Sequence, residues 1–304
     1  MKKAAFVMMA MAVMVFTAGQ AGASFTFSQI DYPGASDTQA TGINNSGNIV
    51  GWYWYAPGGA DYGFLYTGGN FHTINYPGSS NSSGQINSGS SGNAPTYGTV
   101  VTGINGPDHI VGICVYDNSK VSRGFLLTGG NFSSINYPGS LGTTANGINN
   151  SDYIVGDYWD AAGKGYHGFL DVGGNFSSID YPGSSNTQAI GINNSGNIVG
   201  WYWDAKGVAH GFLDTGGSLS SIDYPGASGT QATGINNSGY IVGVYWDASG
   251  VFHGFLKIGE SFFSIDYPGA SGTFAFGIND LVDIVGQYKD ASGVNHGFEA
   301  APVK

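Results

Sequence analysis

A short phrase, Ile-Asp-Tyr-Pro-Gly or its Asn variant, recurs six times in this chain of 304 residues. The residue before each Tyr-Pro-Gly is Asp31, Asn75, Asn136, Asp180, Asp223 and Asp266, at spacings of 44, 61, 44, 43 and 43 residues. Each phrase is followed in turn by Gly-Ile-Asn, Ile-Val-Gly and Gly-Phe. A period near 40–45 residues means one supersecondary unit that buries its apolar faces only against neighbouring copies. The long interval carries about 17 additional residues, placed within 79–98, whose Ser, Gly and Asn content reads as a flexible loop set into one repeat.

The unit parses into four strands. In the repeat that follows Gly226 the reading gives strand a over 230–236, b over 240–246, c over 252–257 and d over 262–267. Asn-Ser-Gly, Asp-x-x-Gly and Gly-Gly separate them, and these are hairpin sequences because Gly and Asn accept positive φ cheaply. Short connections make the unit an antiparallel meander, and no segment has helical periodicity. Both strand faces carry bulk: Ile241 and Tyr245 on one side, Val242, Val244 and Trp246 on the other. A sheet apolar on both faces has to be sandwiched. Four-stranded sheets packed face to face around an axis are propeller blades. The 53 Gly residues therefore belong to turns and not to disorder, since Tyr, Phe and Ile accompany them throughout.

The two ends of the repeat array fit a ring. The first strand after the leader, 25–32, is a strand d, and the last, 295–300, is a strand c with no d behind it. Pairing them seals a six-bladed, all-β propeller over 24–304. An open solenoid would leave an unpaired edge at each end. Pro-Gly then marks the exit from each outer strand toward the inner strand of the next blade, because Pro cannot donate to a ladder.

Residues 1–23 read as a secretory signal peptide. Lys2 and Lys3 precede an apolar run from Ala4 to Phe16, and Ala21-Gly22-Ala23 supplies the cleavage site. The run is too short to span a membrane, and no later stretch reaches the roughly 18 apolar residues required. The tail "EAAPVK" has no hydrophobic anchor, so the expected product is secreted, extracellular or periplasmic, and monomeric. One cysteine, Cys114, excludes an internal disulfide framework. It stands where five other repeats have Tyr, so burial is expected. Nine Lys and Arg face 20 Asp and Glu, with no basic patch, which argues against nucleic acid and anionic membranes as partners.

The pattern T-x-A-x-G-I-N, G-x-I-V-G-x-Y, H-G-F-L and I-D-Y-P-G resembles the bacterial extracellular HAF repeat. Its His-Ala-Phe tripeptide is matched by His167-Gly168-Phe169, His210-Gly211-Phe212, His253-Gly254-Phe255 and His296-Gly297-Phe298. Gly replaces Ala throughout, and Tyr62 and Arg123 replace His in the first two repeats. The resemblance covers the chain after the leader. It implies a secreted β-propeller protein and no particular reaction.

Chemistry-bearing residues are themselves repeated. Asp160/His167, Asp204/His210, Asp247/His253 and Asp290/His296 are spaced as a metal-ligating pair could be. The plainer reading is that Asp closes the b–c turn through backbone N–H groups while His packs beside Tyr. No calcium loop or nucleophile elbow is present, and neither a cofactor nor a resident metal is implied. Asp108, Asp152, Asp157, Glu260, Asp283 and Glu299 are the acids outside the repeat columns, and nothing in the sequence pairs them for glycoside chemistry. An enzyme would need one asymmetric site, which nearly symmetric columns do not offer.

The aromatic columns point instead to binding. Tyr fills five of six slots two residues after the Ile-Val-Gly glycine and reads as inter-blade core. One residue further come Trp54, Val115, Trp159, Trp203, Trp246 and Lys289. This more variable column should reach the rim formed by b–c turns and d–a loops. Trp there can stack on a sugar ring or a peptide anchor. Trp54, Trp159, Trp203 and Trp246, with Asp160, Asp204 and Asp247 accepting hydroxyl hydrogen bonds, form the expected ligand-binding set. The function that follows is a secreted, non-catalytic binding module for an extracellular glycan or protein. The alternative is a structural matrix or envelope protein; a propeller enzyme such as a glycoside hydrolase or lyase is a third reading.

Overall fold

The computed structural model describes residues 24–303 except 57–58, 78, 80–97, 116–120 and 162–164. The leader and almost all of the insertion within 79–98 therefore lie outside the described residues. The described residues form 24 strands in six four-stranded antiparallel sheets. Five blades are continuous in sequence, over 37–74 (blade 1), 98–135 (blade 2), 142–179 (blade 3), 186–222 (blade 4) and 229–265 (blade 5). Blade 6 is composite. It takes strands a, b and c from Gly272–Ile278, Ile284–Lys289 and Asn295–Pro302, and strand d from Phe25–Ile30. Phe25 pairs with Pro302 and Ile30 with Gly297, so first and last strands close the ring.

Strand boundaries differ from the sequence reading by one or two residues, with a structural cause at one end. Strand a of blade 5 is Gly229–Ile235, so the Asn of Gly-Ile-Asn falls outside it. Asn236 instead turns its Oδ1 onto the N–H groups of Ser238 and Tyr240, at 3.0 and 2.9 Å. It caps the a–b turn. Its Nδ2 donates to the carbonyl of Asn279 in the next blade at 3.1 Å. The same bond runs from Asn44 to Asn105, then Asn149, Asn193, Asn236, Asn279 and back to Asn44, at 3.0–3.2 Å. Six buried Asn side chains thus make a closed hydrogen-bonded ring around the axis.

Each strand a carries a bulge between its fourth residue and the Gly of Gly-Ile-Asn. A bulge adds local twist and re-aims one side chain. Here it aims Thr41, Thr102 and Thr233 across the blade boundary, where each hydroxyl donates to the adjacent strand a at 2.7–2.8 Å. The Gly that follows allows the closest approach of the inner strands. A Cβ on Gly42 would sit 3.3 Å from the Cα of Gly103, and one on Gly191 3.2 Å from that of Gly234.

The core lies between blades. One cluster joins Ile30 and Val285 of blade 6 to Ala40, Ile43, Ile49, Tyr53 and Phe64 of blade 1. The Phe of Gly-Phe is fully buried in all six blades. Its ring lies on the Ile-Val-Gly glycine of strand b, where any Cβ would collide with it and with a strand-a carbonyl.

Candidate ligand-binding rim

The meander sends the b–c turns and d–a crossings to one rim and the a–b and c–d turns to the other. The second rim is closed around the axis by the Asn ring. At the first rim each d–a crossing is held by one recurrent bond. The Tyr N–H of Tyr-Pro donates to the Thr hydroxyl that opens the next strand a, for example Tyr224 to Thr230 at 2.9 Å and Tyr181 to Thr187 at 3.0 Å. All six crossings have it, at 2.9–3.1 Å.

The Asp of Ile-Asp-Tyr-Pro-Gly does different work. Its carboxylate holds the Nδ1 of the His on the strand c beside it. His167–Asp180, His210–Asp223 and His296–Asp31 are 2.7 Å apart, and His253–Asp266 2.8 Å. Asn75 and Asn136 occupy the two blades where Tyr62 and Arg123 replace His. The charge therefore follows its histidine. Behind each His lies the Tyr column. Tyr202 is stacked between Tyr181 at 3.7 Å and His210 at 5.2 Å, and Tyr53, Tyr202 and Tyr288 are buried inter-blade residues. Cys114 is fully buried in the Tyr slot of blade 2.

On the other side of the imidazole stands the b–c turn Asp. Asp204 Oδ1 accepts the N–H groups of Lys206 and Val208, each at 2.8 Å, and these bonds hold its carboxyl below the usual range. Asp247 and Asp290 cap their turns in the same way. Oδ2 faces His Nε2 at 3.7 Å for Asp160, 3.6 Å for Asp204, 3.9 Å for Asp247 and 3.5 Å for Asp290, and that of Asp290 also accepts the Ser292 hydroxyl at 2.9 Å. Among the described residues no group of three or more His, Cys, Asp or Glu converges on one point.

The Trp column is not uniform. Trp159 is 42 % exposed and packs against Tyr166, itself 39 % exposed, at 5.6 Å. Trp54, Trp203 and Trp246 are partly covered. Trp54 leans on Trp52 at 5.2 Å, and Trp203 meets Trp201 edge-on at 5.7 Å. Trp246 lies over Gly229, where no Cβ would fit. Trp52 and Trp201 were not in the expected set. Their signal was the period of two that places them on the same strand face as Trp54 and Trp203.

Beside Trp159, between blades 2 and 3, the rim opens into a cleft. A cavity of about 310 Å³ is lined by Arg123, Asn136, Ser140 and Leu141 among others. It adjoins a pocket of about 60 Å³ that shares Val121, Ser122, Leu141 and Gly142 and reaches Thr144, Asp157, Trp159 and Tyr166. Arg123 and Leu141 are exposed. Asp157 is 5 % exposed, and burial pushes its carboxyl up to about 6 against hydrogen bonds from Thr144 and Asn146. The axial channel has a similar volume, about 330 Å³. Its wall is different in kind: Ile43 and its five equivalents, Phe276, and Thr hydroxyls already donating to carbonyls. Gln39, Trp201 and Gln231 are the larger polar side chains on it.

The acids outside the columns mostly have separate partners, but Asp283 and Glu299 lie near enough to repel one another. Asp108 and Asp152 accept from Asn44 and Asn105 on the Asn-ring side. Asp283 is held by Asn279, and Glu260 is fully exposed in a c–d turn. Burial, with repulsion from Asp283, raises the Glu299 carboxyl. Two further buried acids, Asp37 and Asp61, are pushed up to about 6 and about 7 by desolvation.

No family model and no curated protein sequence matches the chain. Solved structures do match in fold. The six-bladed fungal lectin of Aleuria aurantia, described with a fucose recognition mode, aligns with TM-score 0.54 at 13 % identity, covering 89 % of this chain and 93 % of that one. SapL1 lectin in complex with α-methyl fucoside gives TM-score 0.54 at 11 % identity over 88 % and 93 %. AofleA from Arthrobotrys oligospora gives TM-score 0.53 at 14 % identity over 89 % and 85 %. At these identities the likeness is one of fold. No helix of the described residues is long and apolar enough to cross a membrane.

Proposed function

We propose that the protein is a secreted, non-catalytic glycan-binding module of the HAF-repeat type that binds through the b–c rim. The observation that carries this reading is the cleft between blades 2 and 3. An exposed Trp159–Tyr166 platform supplies an apolar face for a sugar ring. Around it stand Arg123, Asn136, Ser122 and Ser140, a set of donors and acceptors suited to vicinal hydroxyls. Its volume falls in the range of small-ligand sites, and its residues come from short loops on a rigid ring. The fucose-binding lectins of similar fold lend the reading support without naming the sugar. The other Trp positions, partly covered, would act as weaker copies with Asp204 and Asp247 at their edge, giving avidity on a multivalent glycan.

The test is a glycan array followed by tryptophan-fluorescence titration of the leading ligand. Trp159→Ala should reduce affinity about fivefold to a hundredfold, since truncating an aromatic anchor of this kind typically costs about 1–3 kcal/mol. Its melting temperature should stay near that of the parent, because the side chain is exposed. Unchanged affinity in Trp159→Ala and Arg123→Ala together would remove the site from this cleft.

A further inference from the structure

The four His–Asp pairs of blades 3–6 pose a problem of lone pairs. Each Nδ1 lies 2.7–2.8 Å from a carboxylate. An ionised carboxylate only accepts, so Nδ1 carries the proton. In the neutral ring Nε2 is then a bare lone pair. It faces a second carboxylate oxygen at 3.5–3.9 Å. Two acceptors facing one another call for a cation between them, either a proton on Nε2 or a metal ion. The spacing suits the metal. Imidazole–metal and carboxylate–metal bonds of roughly 2.1 Å each span the 3.5 Å gap of blade 6 at an angle slightly above tetrahedral. Small side-chain rotations close the wider gaps. A direct hydrogen bond, by contrast, is too long at these distances.

The remaining geometry is that of a metal-binding histidine. A ligating imidazole typically donates its other N–H to a carboxylate, which fixes the tautomer and raises basicity. Asp180, Asp223, Asp266 and Asp31 occupy that position, and Ser178, Ser221 and Ser264 in turn donate to the first three. Asp204, Asp247 and Asp290 are themselves held by backbone N–H groups through Oδ1, with Oδ2 on the side of the ring. The histidines are 21–32 % exposed and the turn Asp 27–42 %, so an ion can enter from solvent. The repeats vary as a unit. Where His is lost, in blades 1 and 2, the outer Asp becomes Asn75 or Asn136, and Tyr55 or Tyr116 stands in place of the turn Asp. A residue needed only to close a turn has no reason to disappear together with its neighbour's imidazole.

We propose that blades 3–6 each present a two-ligand seat for a divalent transition-metal ion, made by His Nε2 and the Oδ2 of the b–c turn Asp. Imidazole with carboxylate suits zinc or copper(II). Water completes the coordination, so affinity per seat is modest and the four seats fill independently. Asp204 and Asp247 are shared with the weaker glycan sites proposed above, but no residue lining the blade 2–3 cleft is a metal ligand, so metal binding is read without glycan and separately from the cleft.

Isothermal titration of the chelator-stripped full chain with zinc chloride and, separately, copper(II) chloride at pH 7.5 should give four equivalents. Asp204→Asn keeps the turn-capping acceptor, and His210→Gln removes the nitrogen; each should lower the count to three. Asp223→Asn should retain four sites, with blade 4 weakened about 10–100-fold. The copper spectrum should show one imidazole nitrogen per ion. His72→Ala, an exposed histidine outside the set, should change nothing. Absence of binding, or a count that follows His72 and ignores His210 and Asp204, would overturn the proposal.

Discussion

At the residue scale two columns do most to define the ring. The Asn of Gly-Ile-Asn caps its turn and bridges to the next blade, so each copy satisfies two local N–H groups and one carbonyl. Asn193→Ala should cost about 1–3 kcal/mol, because the turn donors of Ser195 and Asn197 lose their acceptor and the carbonyl of Asn236 loses a buried donor; urea unfolding measures it. The Ile-Val-Gly glycine is fixed by contact and not by turn geometry. Gly200→Ala would push a methyl into the Gln188 carbonyl and the Phe212 ring. Overpacking of this kind typically costs about 1–3 kcal/mol, and the same unfolding experiment reads it. Asp157 gives a pH dependence. Its folded carboxyl titrates at about 6 against a model-peptide value of 3.8, with desolvation as the main cause. Its contribution is fully present below about pH 4 and is lost as pH rises through 6, since the folded state holds the proton more tightly. Asp157→Asn should therefore stabilise the protein at pH 7.5 by about 2–3 kcal/mol, and the gain should vanish near pH 3.5.

At the scale of the element, the d–a crossing combines a stop and a clamp. Pro ends the outer strand, and the preceding strand register delivers the Tyr N–H to the next blade's Thr. Thr230→Val keeps the shape and removes the acceptor from Tyr224. It should cost about 1–2 kcal/mol, whereas Thr230→Ser should cost much less; a melting-temperature series on the two variants makes the comparison. The c strand links this crossing to the b–c hairpin through the Tyr–Tyr–His stack. The same His connects the outer Asp to the turn Asp. Blades 1 and 2 abandon the His and both Asp; blade 1 keeps the stack with Tyr62 in place of the His, and blade 2 gains Arg123 and an open cleft. Element-level variation thus marks where the rim departs from its own symmetry.

At the scale of the molecule, closure depends on six residues at one end of the chain. Phe25, Phe27 and Ile30 are each 5–7 % exposed in the blade 6 sheet. Deleting 24–30 removes three buried apolar side chains, worth about 1.5–3 kcal/mol each, and bares the edge of the strand Asn295–Pro302. Chemical unfolding should show a loss of at least about 5 kcal/mol and a broader transition than the parent's. It would also remove the span leading into Asp31, the carboxylate that orients His296 across 265 residues. A truncated protein that unfolded like the parent would mean that the first strand is not a structural part of blade 6.

The sequence by itself determined the number of blades, the four-strand meander, the composite sixth blade and the rim that collects Trp, Asp and His. All of these follow from periodicity, turn chemistry and the split hairpin at the ends, which are local features read along one dimension. Tertiary structure alone decided what the columns touch. The Asn ring, the Gly contacts around the axis and the hydroxyl bonds of Thr41, Thr102 and Thr233 to the next inner strand join residues 42 or more apart, and no local pattern encodes their partners. The Trp column shows the difference most clearly. Trp54, Trp159, Trp203 and Trp246 are equivalent in sequence, yet Trp52, Trp201 and Gly229 draw three of them into cover. Trp159, with Asp157 beneath it and no second Trp beside it on its strand, is left to the solvent.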